Sequence, residues 1–377
     1  MSTTPRRILL AKDTINRGDL AALAKWLTKS ETPRLTQGPL VRKFEEAYAK
    51  WLGTKYAVFC NSGSSANLLA FAALDLTHVA APAVSWPTTI APALQLGKTL
   101  SLWDAREDTW GIALTSNSGK KQAVIVVDVL GVPTLRPSTF NLIEDCCGAH
   151  GSTINGKKVG TFGKLSTFSF YFGHAMSTIE GGMVCTDDRD LWLRLLMLRA
   201  HGWTADFPDE AAVDGETLFR TIGEDRFRRK FTFYVPGWNV RGTDLQAFLG
   251  LRGLKRLDES VERRVVNSAR YRLLLRRLGL TVQEPLRGSI AAPIGVGVLA
   301  PSGEVRQRIA AALAAANIEV RPVGGGNMAR QPFLAGRRFG PFPVADRIHD
   351  LGFQVPNGPH LIARDVRHVV NVIAEVL

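Results

Sequence analysis

Between residues 57 and 186 the chain alternates short apolar runs with helical or turn-forming stretches, and this rhythm constrains the fold more than any other feature. The apolar runs fall at 57–60, 79–81, 99–102, 123–127, 141–143, 166–170 and 182–185. Runs of that length separated by helix-sized segments read as strands of a mainly parallel sheet with helices packed on its faces. The sequence therefore predicts an α/β domain.

The pattern changes further along. Leu257, Val261, Val265, Ala269 and Leu273 recur every four positions, which predicts a long amphipathic helix leaving the large domain. A boundary near residue 250 follows, with a large domain at 1–250 and a smaller one at 251–377. In the latter, 291–299 reads as a strand, Ser302 as the N-cap of a helix over 303–316, and 318–321 as another strand, giving a smaller α+β domain. Residues 205–233 are polar and lack periodicity, so they read as an excursion of the kind that covers a site. No internal repeat is present.

Composition excludes several function classes. A chain of 377 residues with 45% hydrophobic content can bury a sizeable core, yet no apolar run approaches the roughly 20 residues of a membrane span. Residues 1–16 lack a signal-like apolar stretch, so a cytoplasmic protein is expected. Cys60, Cys146, Cys147 and Cys185 show no C-x-x-C spacing and read as reduced core thiols. Lys and Arg outnumber Asp and Glu by 47 to 34, a net charge of +13. The arginines at 226, 228, 229, 263, 264, 276, 277, 337 and 338 lack the interleaved aromatics of a nucleic-acid module. They read mainly as solvated helix faces with one diphosphate clamp among them, and neither a nucleic-acid partner nor a metal is expected.

Two segments carry chemistry. Asn61, Ser62, Gly63, Ser64, Ser65 and Ala66 follow a strand and open a helix, where backbone N–H groups and the helix dipole suit a phosphate. Serines and glycine here also serve as plain caps. Glu144 and Asp145 end a strand, where a buried carboxylate needs a strong partner such as a protonated pyridine nitrogen. Glu144 and Lys164 read as structural. No G-x-G-x-x-G or Walker loop is present.

Residues 160–170 lead into Tyr171, Phe172, Gly173 and His174, then Ala175, Met176, Ser177, Thr178, Ile179, Glu180, Gly181 and Gly182. With Ser85-Trp86, Arg199 to Trp203, Asn239 to Asp244, Arg321-Pro322 and Ala345 to His349, the chain from about Asp13 onward resembles the DegT/DnrJ/EryC1/StrS family of sugar aminotransferases. The resemblance implies the pyridoxal-phosphate (PLP) aspartate-aminotransferase fold. It implies that Gly63, Ser64, Ser65 and Ser169 bind the cofactor phosphate, Trp86 stacks on its ring, Asp145 pairs with its nitrogen, and Asn239 reaches the phosphate of a partner subunit in a homodimer. Trp86 as plain core, Asp145 as a turn-former and His174 as a satisfied polar residue are the plainer alternatives.

In that family the segment before Glu-Gly-Gly carries the lysine that holds PLP, whereas here that place is taken by His174. The resemblance is to the branch that uses histidine as its base, so His174 is expected to be the catalytic residue of a nucleotide-sugar 3-dehydratase. Such an enzyme uses PLP and pyridoxamine phosphate, takes L-glutamate as amino donor, and removes the C3 hydroxyl of a nucleotide-linked 4-keto-6-deoxyhexose. GDP-4-keto-6-deoxymannose is favoured. His201, Arg199, Arg321 and His349 are expected at the substrate. Gly148 stands where the family has a glutamine near the cofactor hydroxyl, with water or His150 expected to fill the gap. The rivals are an ordinary sugar aminotransferase and a nucleotide-sugar-binding protein without turnover; an iron–sulfur dehydratase is opposed by the cysteine spacing.

Overall fold

The computed structural model describes residues 7–29, 31, 33–113, 122–137, 141–222 and 225–377. Strands β1 (Tyr56–Cys60), β2 (His78–Pro82), β3 (Thr99–Trp103), β4 (Gln122–Val127) and β5 (Asn141–Asp145) are followed by a short hairpin, β6 (Thr153–Ile154) and β7 (Lys157–Lys158). Then come β8 (Leu165–Ser169) and β9 (Gly182–Thr186). The main sheet has the order β1-β9-β8-β5-β4-β2-β3. Its pairs are parallel except those of β9, which runs antiparallel to both β1 and β8. All seven runs expected as strands lie in this sheet.

Eight helices accompany it among the described residues: α1 (Arg17–Leu27), α2 (Pro39–Leu52), α3 (Gly63–Ala73), α4 (Pro87–Gln95), α5 (Arg189–Arg199), α6 (Ala212–Ile222), α7 (Asp244–Leu254) and α8 (Leu257–Arg277). The sheet is covered on both faces, as its apolar strands require. On one face Val58, Cys60 and Val184 join Leu69, Phe71, Trp192 and Leu195 of α3 and α5. On the other, Ala57, Phe59, Phe168 and Met183 meet Phe44 and Tyr48 of α2.

A second core lies in the smaller C-terminal domain. There β10 (Thr281–Val282), β12 (Gly295–Leu299) and β13 (Gly352–Pro356) form an antiparallel sheet, while β11 (Ser289–Ile290) pairs with β6. Tyr271 of α8 packs there with α9 (Gly303–Ala315) and α11 (Ala363–Ala374); α10 (Pro343–Leu351) precedes β13. Ile8, from the other end of the chain, belongs to this core as well. Ser302 caps α9 as expected, its side chain accepting from the Val305 N–H.

Three expectations are corrected. Residues 318–321 make no strand: Ile318 bridges Ile8, and Arg321 bridges Gln354, so the segment passes between two partners, and Pro322 offers no N–H to extend either. Helix α8 exists, but its buried residues are Leu257, Arg264, Asn267, Ser268, Tyr271 and Leu275, whereas Leu273 is 54% exposed. A strict spacing of four overruns the 3.6 residues of a turn, so the apolar series winds off the buried face, and Arg264 leaves the solvated arginines to join it. Finally, the 205–233 excursion contains α6 and two 3-10 turns. Residues 223–224 and the side chain of Arg226 lie outside the described residues. No helix of the described residues is long and apolar enough to cross a membrane.

Strand β9 meets the start of α3 at Gly182, where a Cβ would lie 2.1 Å from the Ser62 carbonyl oxygen. Gly182→Ala is expected to cost about 1–3 kcal/mol through overpacking and to displace the Ser62–Gly63 turn. Denaturant unfolding checks the first effect, and equilibrium dialysis of pyridoxal phosphate checks the second; unchanged values for both would refute this role.

Candidate active site

A cavity of about 300 Å³ opens where the parallel strands end, the place at which open α/β sheets bind ligands. Each wall is the residue stretch that leaves a strand: Gly63 and Ser64 after β1, Trp86 after β2, Asp128 after β4, Asp145 and Cys147 at and after β5, and Ser169 at the end of β8. His174 and Tyr171 enter from the loop after β8, and Arg321 and Gln354 from the C-terminal domain.

Asp145 is only 5% exposed. Its Oδ2 accepts from the Asn67 side-chain amide at 3.0 Å and the Thr89 hydroxyl at 2.7 Å, and its Oδ1 accepts from the Cys147 N–H at 3.2 Å. Thr167 in turn donates to the Asn67 Oδ1 at 2.6 Å, fixing that amide. No lysine or arginine among the described residues forms an ion pair with Asp145. Three neutral donors orient the carboxylate without cancelling its charge, and a buried anion held this way awaits a cation. A protonated pyridine nitrogen fits.

The neighbouring Glu144 points the other way. It accepts from the N–H groups of Gly160, Phe162 and Gly163 and pairs with Arg136, which also pairs with Asp128. Glu144 is thus structural, as expected; so is Arg136, held protonated by its two carboxylates.

The phosphate corner is the N-terminus of α3. Gly63 packs so closely on Ser169 that a Cβ there would lie 2.6 Å from the Ser169 Cβ. The Ser64 hydroxyl donates to Thr88 at 2.9 Å. Free N–H groups of the first helical turn and these hydroxyls make a cradle for a dianion. Ser65 is not at the cavity wall: its N–H donates to the Ser62 hydroxyl, which itself donates to the Ser65 oxygen. It serves the helix cap.

Trp86 is 58% exposed although it borders the cavity, as suits an aromatic face awaiting a ring to stack on. His174 borders it as well. Burial draws its imidazole down to about pKa 4, Asp145 pulling upward and Arg264 downward, so it is neutral at pH 7 and able to accept a proton. Among the described residues no lysine lines the cavity. An aldehyde cofactor would be held there by contacts alone.

Other expected residues are not brought together here. Arg199 is 2% exposed, pairs with Glu45 and donates to the Phe59 carbonyl at 2.9 Å; it ties α5 to α2 and β1 and cannot meet a substrate. His201 and Asn239 lie outside the cavity, beside Arg241, whose Nε donates to the Asn239 Oδ1 at 3.0 Å. His349 also stands off: its Nδ1 accepts from the Asn327 N–H at 3.2 Å, holding the turn whose Gly325 N–H donates to the Ser85 carbonyl at 3.1 Å. No described residue of 205–233 lines the cavity, so the excursion does not cover it within one chain.

His150 does not fill the place of the missing glutamine. It is fully buried among Tyr48, Phe168 and Phe170. Gly148 borders the cavity, and a side chain there would start 3.3 Å from the Gly131 nitrogen and 3.4 Å from the Ile294 Cδ1, so a glutamine would fit only with small shifts of these neighbours. Cys147 lines the cavity rather than the core, its thiol kept protonated by burial and Asp145. Asn67 and Thr89, which orient Asp145, escaped sequence reading. The one signal was a buried asparagine in the otherwise apolar stretch 66–74.

A sheet of this order with an anion cradle, an uncompensated aspartate and an exposed tryptophan at its strand ends is the architecture of a PLP-type sugar enzyme. The model of the DegT/DnrJ/EryC1/StrS aminotransferase family matches residues 16–374, and the chain belongs to that family. It is similar to GDP-4-keto-6-deoxy-D-mannose 3-dehydratase of Yersinia pseudotuberculosis, 30% identical over 392 residues that cover 97% of each chain. A GDP-4-keto-6-deoxymannose-3-dehydratase solved with a trapped PLP–glutamate geminal diamine superposes with a TM-score of 0.85 at 28% identity, covering 97% of this chain and 100% of that one. A histidine-to-asparagine mutant of an enzyme of that name with bound GDP-perosamine gives 0.86 at 28% identity, covering 98% and 100%.

Burial lowers His174 to about 4 and His150 to about 3, against about 6.5 for an unfolded histidine. Below pH 6.5 the unfolded chain therefore binds more protons than the folded one, and stability falls as pH drops from about 6.5 towards 4. Thermal melts across that range should show the decline, flattened by His174→Asn and by His150→Phe. An equal slope in both variants would assign the decline to other groups.

Proposed function

We propose that the chain is a nucleotide-sugar 3-dehydratase that removes the C3 hydroxyl of a GDP-linked 4-keto-6-deoxyhexose, 4-keto-6-deoxymannose by preference, using pyridoxal and pyridoxamine phosphate with L-glutamate as amino donor. One observation carries the reading: a histidine, with no lysine beside it, faces the same cavity as a buried carboxylate that lacks a cation. The first suits proton transfer, the second a cofactor held without a covalent bond.

When bound, the cofactor would supply an amine for the sugar ketone and a conjugated ring able to store, and then release toward C3, the electron pair that expels the hydroxyl. Asp145 keeps the ring nitrogen protonated, Trp86 fixes the ring plane, and Gly63, Ser64 and Ser169 hold the phosphate. His174 takes a proton onto its neutral imidazole and returns it to the departing hydroxyl, as an acid–base group with a sub-neutral pKa can. Arg321, exposed at the mouth with no side-chain hydrogen bond recorded to any described residue, is placed to meet a carboxylate or diphosphate. Overall, sugar and glutamate give 3-deoxysugar, 2-oxoglutarate and ammonia, glutamate losing the electrons that C3 gains.

Asn239 and His201 make sense in a homodimer. Asn239 is exposed and outside its own cavity, which supports its reaching the partner's phosphate site. The exposed rings of Phe231 and Phe233, which pack with Trp203, place an apolar face on the same region.

His174→Asn should keep pyridoxal phosphate bound while C3 deoxygenation falls by about 10²–10⁴-fold, as measured by mass spectrometry of the sugar with ammonia release. Turnover at the parent rate would remove His174 from the mechanism. Borohydride treatment of the PLP-loaded protein should label no lysine; a labelled lysine peptide would overturn the non-covalent hold. His174→Lys should trap the cofactor covalently and lose C3 deoxygenation, read in the same spectra.

A further inference from the structure

Arg264 is a guanidinium without a counter-ion. It sits on the buried face of α8, 3% exposed, and its recorded partners are backbone carbonyls alone. Nη1 donates to Asn357, to Ile294 at 3.4 Å and to Pro293 at 3.5 Å, and Nη2 donates to the His174 carbonyl at 3.3 Å. Its Nε has no partner among the described residues. Among the described residues no carboxylate joins it, unlike Arg136, Arg199 and Arg241, each of which pairs with an aspartate or glutamate.

Burying a cation this way is costly, and carbonyl oxygens recover only part of the lost hydration. The three segments it reaches are far apart in sequence: 293–294 at the start of β12, Asn357 just after β13, and His174 in the loop of the large domain. Asn357 is wholly buried and closes the knot, its side-chain amide donating to the Pro293 carbonyl at 2.7 Å and to the Arg264 carbonyl at 3.2 Å. An apolar residue of similar size could fill the space but could not bind all three segments.

We infer that Arg264 is a positioning residue for the base: its uncompensated guanidinium anchors the His174 loop to the C-terminal domain through the His174 carbonyl and sets a fixed positive charge behind the imidazole. The inference rests on His174 being the base. The titratable groups around that imidazole are Asp145 at the end of β5, Cys147 just beyond it, Tyr171 on the same loop, His150 behind it and Arg264 from α8, with Asp128 and Arg321 on the cavity wall. Asp145 favours the imidazolium. With Asp145 paired to a bound ring nitrogen, its pull toward the imidazolium would weaken and the opposing charge of Arg264 would weigh more.

Removing the guanidinium charge should therefore raise the His174 midpoint. The test is ¹⁵N-histidine NMR of the pyridoxamine-phosphate-loaded protein, with His174 assigned by its loss in His174→Asn. Arg264→Gln should move the midpoint up by about one unit or more, and the acid limb of kcat/KM with it. Arg264→Lys keeps the charge but not the reach, so its midpoint should stay near the parent's while its melting temperature falls. An unmoved midpoint in folded Arg264→Gln overturns the inference. Should that variant not fold, Arg264→Lys decides alone, a midpoint shifted by a unit or more being the contrary result. The titration is read without turnover, so undiminished dehydration in His174→Asn would sink the base reading and leave the electrostatic result standing.

Discussion

The carboxylate of Asp145 is the interaction on which the rest depends. It ends the middle strand of the main sheet, is nearly closed off from solvent, and is met only by neutral donors. Each neighbour serves that arrangement: Asn67 comes from the helix that also carries the phosphate cradle, Thr89 from the helix that Trp86 caps, and Thr167 from the adjacent strand. One anion thus couples the end of β5, the Trp86 side chain and the start of α3 around a single cavity.

Much of this was legible in the sequence because it is local. Strand runs such as 79–81 and 123–127 are apolar on both faces, and a parallel sheet buried on both sides requires that. Asp145 announced itself as a charge at the end of such a run, and His174 by its place before Glu180, Gly181 and Gly182. What failed was long-range. Arg199 and Arg264 look like any helical arginine in sequence, and only the partners supplied by distant segments, Glu45 in one case and the 293–294 and Asn357 carbonyls in the other, make them internal.

The misread stripe on α8 has the same origin. A series repeating every four residues drifts around a helix of 3.6 residues per turn, so the inward face at the middle of α8 carries Arg264, Asn267 and Ser268. Apolar periodicity finds a helix that packs through hydrocarbon, not one that latches to backbone carbonyls. Asn267 does the latter too, donating to the Gly358 and Leu361 carbonyls at 3.4 and 3.1 Å. Helix α8 is thus latched to the segment after β13 by polar contacts, while Val323, Met328 and Ile348 join the apolar core of the main sheet.

The histidine at position 174 also changes the relation between cofactor and fold. With no lysine of the described residues in the wall, a cofactor held there by contacts alone would occupy the cavity by ordinary mass action rather than through a bond to be exchanged. A ligand that binds only the folded state stabilises it by RT ln(1 + [L]/Kd). The free energy of filling the cavity would then be shared with the whole molecule, so the folded fraction would rise with the free concentration of the ligand.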